Sequence, residues 1–362
     1  MKSATLTALI LLGGCTQLAV PSTTEKAFVF AQPVTIMTFN VENLFDTRDD
    51  PGKDDRTYLP LAMKQTGEHQ SACAKIEVPH WRDQCLNWDW SEEILERKLS
   101  AVAAAILQVN DGRGPDILAL QEIENVGILE RLRQDYLSDA GYRPAILIDG
   151  SDERGIDVAF LSKLELAEPP TLHRIPFDGA DATRVADTRG ILEATFLLPD
   201  GSYLTGYAVH FPAPFHPTEM RIAAYEFLAK LNAALPADRP AFAAGDFNTT
   251  SEEDRNESML ARFAKPWWTV VHEAECRDNA GPCRGTSYYA RDGSWSWLDM
   301  ILWSPGRCRG AQATWRIREG SVRIANNTSE QVQASGTPAR FALPEGSGVS
   351  DHWPLHFSIE TK

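Results

Sequence analysis

The sequence predicts a single α/β domain, and three observations predict it. From residue 34 almost to the end of the chain, short runs of β-branched and aromatic residues alternate with segments that are apolar at helical spacing. No internal repeat, low-complexity segment or linker divides that stretch into two cores. The strands also end on acids, amides and imidazoles, and the carboxyl ends of strands are where α/β proteins usually bind ligands. With 362 residues, 43% of them hydrophobic, the chain has ample material for a packed core. Its formal charge of -15 comes from 50 acidic and 35 basic residues. That field disfavours tight non-specific duplex binding unless basic groups or divalent cations gather at one place.

The chain opens with Lys2, an apolar run from Ala4 to Leu12, and Gly13-Gly14-Cys15. The run is too short to span a bilayer and has the order of an export signal. Leu12-Gly13-Gly14-Cys15 also resembles a lipobox, in which residues 1–15 end on a Cys that is lipidated and attached to a membrane. The alternative is an ordinary signal cleaved near Ala19. Either way the expected location is outside the cytoplasm: periplasmic, anchored to the outer membrane, or secreted. An oxidising compartment favours disulfides, and proximity pairs Cys73 with Cys85 and Cys276 with Cys283, leaving Cys308 over. Residues 16–32 read as a polar tether, and 33–362 as one domain.

Val34 to Asn40, VTIMTFN, reads as the first strand and runs into Asn40-Val41-Glu42-Asn43. Residues 46–90 hold acids, Gly, Pro, two cysteines and Trp81, Trp88 and Trp90 without apolar alternation, which predicts a surface insertion with a small satellite core. Ser91-Glu92-Glu93 then caps a helix, with Ile94, Leu95, Leu99, Val102 and Ile106 on one face. Asp116 to Leu120 reads as a buried strand that delivers Glu122 at its end. A helix over 128–137 follows, then strands over 143–148 and 156–161, with Arg154 and Asp157 at the entry to the second. Strands over 191–198 and 203–209 flank the turn Pro199-Asp200-Gly201-Ser202, and the second runs straight into His210. A helix over 218–235 precedes the strand that ends in AAGDFNTT, residues 243–250.

In that octapeptide Gly245 frees the backbone, and Asp246 and Asn248 stand two apart, on one face of an extended chain. Beyond it, 251–285 reads as loose. Trp297 to Trp303 is a strand whose lone acid, Asp299, needs a dedicated partner. Residues 304–347 read as irregular, and Asp351-His352 precede a closing strand over 356–359. Asn40, Glu122, His210, Asp246, Asn248, Asp299, Asp351 and His352 thus form a set rich in oxygen donors and lacking clustered thiolates. Such a set suits Mg²⁺, Mn²⁺ or Ca²⁺.

TFNVENLFD (38–46), LALQEIEN (118–125), RGIDVAFLSK (154–163), AVHFP (208–212), GDFNTT (245–250), WLDMIL (297–302) and SDHWPL (350–355) together resemble the endonuclease/exonuclease/phosphatase superfamily. Those are the relatives of pancreatic deoxyribonuclease, abasic-site endonuclease and bacterial sphingomyelinase, and this chain resembles an exported bacterial member. The resemblance implies a DNase I-like four-layer α/β/β/α sandwich of two mixed sheets. It implies a Mg²⁺-dependent phosphoesterase, acting as a monomer on phosphodiesters, first of all nucleic acid. The alternatives are a phospholipid or small phosphate ester, or a non-catalytic surface-binding lipoprotein. By the resemblance Glu122, Asn40 and Asp351 hold the metal, and Asp246 activates water with Asn248 beside it. His352, oriented by Asp299, polarises phosphate. His210 is the second imidazole, partnered by Asp157 or Glu153, while Arg154 and Asp157 face the substrate.

Overall fold

The computed structural model describes residues 32–278, 280–306 and 315–362. The lipobox-like end at Cys15, and Cys308, the cysteine left over from the two expected pairs, lie outside the described residues. Two large mixed sheets dominate. In the first, Val34–Leu44 runs parallel to Ile117–Ile123 and antiparallel to Leu355–Thr361, and Ile117–Ile123 pairs antiparallel with Asp157–Ser162. In the second, Tyr203–His210 runs parallel to Ala241–Asp246, which pairs antiparallel with Asp299–Ser304.

Side chains alternate across a strand, so each strand has an inner and an outer set. Ile36, Ala119, Phe160, Phe196, Phe242, Ile301 and Phe357 form the core between the sheets. Phe160 meets Phe196 and Phe242 edge-on at 5.5 and 6.1 Å, and such aromatic pairs each add about 0.5–1.5 kcal/mol beyond their buried area. Met37, Phe39, Leu118 and Leu120 face outward under the helix Glu92–Ile106. Tyr207, Val209, Ala243 and Leu302 do the same under Thr218–Ala234. The result is the four-layer sandwich, helix upon sheet upon sheet upon helix. Among the described residues no helix is long and apolar enough to cross a membrane.

The parity of that alternation sets the site. Asn40 follows Ile36 and Thr38, His210 follows Ala208, Asp246 follows Phe242 and Ala244, and Asp299 precedes Ile301 and Trp303. Each polar residue therefore continues the inner row of its own strand and extends the gap between the sheets to its rim. Register completes the alignment, because Asp246 pairs with both His210 and Asp299 across neighbouring strands. Gly245 is required there: a Cβ on it would stand 1.9 Å from the Val209 carbonyl oxygen.

Several expectations are corrected. The strand expected over 143–148 is only Ile146–Leu147, and the stretch read as loose from 251 contains the helix Ser251–Glu257, capped by Thr250. Asp254 fixes its exit by accepting from the Leu260 amide at 2.7 Å. The stretch read as irregular contributes the edge strands Trp315–Ile317 and Arg323–Ile324. Within 46–90 the helices Gly67–Cys73 and Pro79–Asn87 are joined by the Cys73–Cys85 disulfide, and Cys276–Cys283 is bonded as well. Nor do the tryptophans there form one satellite core. Trp90 is 2% exposed and enters the outer core of the first sheet, while Trp81 is 61% exposed.

Candidate active site

At the rim the two sheets present a continuous polar row. His352 Nδ1 lies 2.6 Å from Asp299 Oδ2, and its Nε2 lies 4.0 Å from Asp246 Oδ2. His210 Nε2 is 3.6 Å from the same Asp246 oxygen. The Asn248 amide donates to Asp246 Oδ1 at 2.8 Å, and Asn40 Nδ2 donates to Asp246 Oδ2 at 3.1 Å and to Glu122 Oε1 at 3.2 Å. Asn248 Nδ2 donates to the Phe211 carbonyl at 3.0 Å, tying the GDFN turn to the strand that carries His210.

Glu122 arrives by a different route. Parity alone sends it to the outer face with Leu118 and Leu120. A register shift between Gln121 and Ile123 and a φ of 65° turn it back toward the rim. Positive φ in a non-glycine residue is strained and needs a compensating contact. The Asn43 amide, itself from a residue at φ 58°, supplies one by donating to Glu122 Oε2 at 2.9 Å. Arg154 donates its guanidinium to Asn43 Oδ1, which holds it beside this corner.

The electrostatics divide the two imidazoles. Burial opposes charge on His352, yet Asp299, with Asp351 and Asp246, holds its pKa well above the ordinary imidazole range. Burial, with Arg189, His352 and Arg154 nearby, pushes His210 well below that range. One ring is therefore a cationic donor and the other neutral. Burial raises Asp246 to about 7, with Asp299 adding to the shift and His352 opposing it. Asp351, despite burial, is held below the usual carboxylate range by His352 and Arg340.

Two assignments are not met. The structure brings neither Asp157 nor Glu153 to His210, whose Nδ1 is buried without a hydrogen-bond partner among the described residues. Asp157 is 3% exposed and accepts from the Gly150 amide at 3.0 Å, so it supports a loop and does not face a substrate. Asn40 is set as a donor toward two acids, and its own oxygen accepts from the Glu42 amide at 3.0 Å. Glu122 and Asp351 are both partly exposed, and their carboxylates are the kind of oxygen donor that a hard divalent cation prefers. Asp246, Asp299 and His352 also cluster closely enough to hold an ion. In that cluster, however, the His352 nitrogen is already bonded to Asp299.

Sequence reasoning missed Glu42, Lys98, Arg340 and Ser350. Ser350 Oγ donates to the Asn40 carbonyl at 2.7 Å and accepts from the His352 amide at 3.0 Å, which fastens the last loop to the first strand. Glu42 had a signal, since it lies in the same motif as Asn40. Arg340 had none, being in a stretch without periodicity. Beside Asp351 opens a groove of about 1240 Å³, walled by Phe215, Tyr288 and Tyr289 and carrying Glu252, Glu257 and Asp292 together with Arg221, Arg291 and Arg340.

Comparison with known proteins agrees with this fold. The family model described as the Endonuclease/Exonuclease/phosphatase family matches residues 37–352. No curated protein matches. Among solved structures, an endonuclease/exonuclease/phosphatase from Bacteroides vulgatus is similar at 16% identity and TM-score 0.53, covering 91% of this chain and 100% of its own. A family protein from Bacteroides thetaiotaomicron matches at 16% identity and TM-score 0.52, with 92% and 99% covered. Truncated Caenorhabditis elegans TDP2 matches at 15% identity and TM-score 0.51, with 91% and 98% covered. The site's motifs, their order and the sandwich that gathers them place this chain in the endonuclease/exonuclease/phosphatase family.

Proposed function

We propose that this protein is a divalent-metal-dependent phosphodiesterase, with nucleic acid as its first substrate class. Members of its family are generally hydrolases of phosphoester bonds, and the observation that carries the reading is the row Asp299, His352, Asp246 beside Glu122. Glu122 and Asp351, with Asn40 next to them, are the residues that would hold Mg²⁺, Mn²⁺ or Ca²⁺. Such an ion, when bound, draws charge from a non-bridging phosphate oxygen. The chain's own groups do the rest. Asp246, poised near neutrality, takes a proton from the attacking water, and the Asn248 amide and Asn40 fix its two oxygens. His352, kept charged by Asp299, donates from Nε2 to the phosphate, where its cation matches the developing charge. His210, neutral and buried, holds its Nε2 toward Asp246 and the entering water.

A second reading, a phosphodiester with one phosphate, is favoured by the groove. Its five acids, Glu252, Glu253, Glu257, Asp292 and Asp351, outnumber its three arginines, Arg221, Arg291 and Arg340, beside three aromatic rings, and a net-negative wall disfavours the further phosphates of a polyanion. Export with lipidation at Cys15, and action as a monomer, belong to the same proposal. Incorporation of labelled palmitate into wild type but not Cys15→Ala tests the anchor.

The deciding experiment is hydrolysis of bis-p-nitrophenyl phosphate with Mg²⁺ or Mn²⁺ and with EDTA. Metal-dependent turnover is expected; none by the wild type would support the non-catalytic binder instead. Plasmid DNA, single-stranded RNA and sphingomyelin assayed side by side then choose the substrate class.

A further inference from the structure

A second set of acids gathers at the root of the insertion, where the hydrolytic scheme makes no use of them. Asp46, Asp49, Asp50, Asp54 and Asp55 follow one another closely in sequence. Between them Pro51-Gly52, with Gly52 at φ 85°, turns the chain so that Asp49 and Asp50 return to Asp55. The Lys53 amide closes that turn on the Asp50 carbonyl at 3.1 Å. Glu124 comes to the same place from just beyond the strand Ile117–Ile123, and its Oε2 accepts from the Asp46 amide at 2.6 Å.

Two of these acids are buried with an oxygen left over. Asp55 is 1% exposed, and its Oδ2 accepts from the Asp50 amide at 2.7 Å, but its Oδ1 has no hydrogen-bond partner among the described residues. Glu124 is 3% exposed, and its Oε1 is likewise without one. The neighbours that bear on them are acids. Asp49 comes within hydrogen-bonding reach of the Asp55 carboxylate, and the charges of Asp46, Asp50 and Asp55 all act on Glu124. The cations nearby turn elsewhere. Lys53 donates to the carbonyls of Gly150 and Asp152 at 3.3 and 3.0 Å, Arg56 lies 3.3 Å from Asp54, Arg48 is exposed, and Arg154 is engaged by Asn43. Buried carboxylates that face one another are costly unless a cation compensates them.

A set of carboxylates without imidazole or thiolate selects a hard ion over the softer metals. Ca²⁺ takes about six to eight oxygens in flexible geometry, which an irregular loop can supply, whereas Mg²⁺ demands a near-ideal octahedron and keeps much of its water. We propose that Asp55 and Glu124, completed by Asp46, Asp49 and Asp50, bind Ca²⁺ at a site apart from the catalytic rim. The two places share no acid, since Glu122 turns to Asn40 and the Asn43 amide while Glu124 turns to the Asp46 amide. These acids do not stand as close together as Asp246, Asp299 and His352 do, so the ion draws the loop inward as it binds. That closure ties the root of the insertion to what surrounds it. The Glu124 amide donates to the Leu44 carbonyl at 3.1 Å, and the Asp54 amide donates to the Glu153 carbonyl at 2.8 Å, next to Arg154.

Calcium binding to the full chain is measured by isothermal titration calorimetry, and the thermal denaturation midpoint is read with Ca²⁺, with Mg²⁺ and with EGTA. Glu122→Gln serves as the parent protein, so that the rim lacks its principal acid, and Asp55→Asn and Glu124→Gln are added to it singly. Both replacements keep an oxygen that can accept from the Asp50 or Asp46 amide and remove like charge. The variants are therefore expected to be folded in EGTA, which circular dichroism checks. The parent is expected to bind Ca²⁺ and to gain more in midpoint with Ca²⁺ than with Mg²⁺ at equal concentration. Each variant is expected to bind Ca²⁺ at least about tenfold more weakly and to lose that gain. No calcium-dependent gain in the parent, an equal gain with Mg²⁺, or parental affinity in either variant overturns the proposal. Turnover is not read, so the result stands whether or not the rim hydrolyses phosphodiesters.

Discussion

His352 Nδ1 and Asp299 Oδ2 stand 2.6 Å apart across 53 positions of sequence. Asp299 has no exposure at all, and its second oxygen has no partner among the described residues. A buried acid of that kind is costly unless a cation compensates it, and the imidazolium of His352 is that cation. The pair also fixes the ring, since Nδ1 toward Asp299 leaves Nε2 as the donor at the rim.

Asp299→Asn keeps the shape and removes the charge. The alkaline limb of the pH–rate profile is then expected to move to lower pH, because His352 loses the neighbour that holds its proton. The kcat for bis-p-nitrophenyl phosphate should fall by about 10²- to 10⁴-fold, the usual scale for a misplaced acid–base group. An unmoved alkaline limb would show that His352 is not the titrating acid.

Asp246→Ala and His352→Ala address the two partners of phosphate chemistry directly. Each is expected to lower turnover by orders of magnitude, on the order of 10³-fold or more, with far-ultraviolet circular dichroism unchanged. Both variants retaining activity would refute the role assignment.

Gly245→Ala tests the strand geometry beneath the site. The added methyl meets the Val209 carbonyl at 1.9 Å, a contact that backbone cannot yield cheaply. A loss of at least about 1–3 kcal/mol is expected, the usual cost of overpacking a tight interior, read as a lower urea midpoint. An unchanged midpoint would mean that the two strands separate easily.

His272 reports stability independently of catalysis. It stacks on Trp297 at 4.2 Å, and burial, with Lys265 adding to the shift, lowers its pKa to about 3. Between that value and the ordinary 6.5 only the unfolded chain takes up the proton. Stability is therefore full above 6.5 and drains as pH falls toward 3, by about 1.4 kcal/mol per pH unit. His272→Phe keeps the stack and removes the proton site. The drop in denaturation midpoint between pH 7 and pH 5 should be smaller in the variant, and an equal drop in both proteins would count against the buried neutral ring.

How much of this was legible in the chain depends on the residue. Val34 to Asn40, Ala241 to Asp246 and the helix capped by Ser91 were readable because period and punctuation act within a few positions. The set Asn40, Glu122, His210, Asp246, Asn248, Asp299, Asp351 and His352 was readable as strand-end polar groups, and the order of the motifs told which family assembles them. Short strands such as Trp315–Ile317 were not readable, because edge pairing needs only a neighbour and leaves no apolar period.

By itself the sequence determined that Asn40, His210, Asp246 and Asp299 continue the inner rows of their own strands, since alternation is a local property of extended backbone. Only the tertiary structure decided that Glu122 turns back through a register shift, that Asp157 serves a loop while His210 Nδ1 has no hydrogen-bond partner among the described residues, and that Arg340 bridges Glu42 and Asp351. Those outcomes depend on strained backbone and on charges that meet across some three hundred positions. No local pattern encodes such meetings, because their energy exists only once the sheets have stacked.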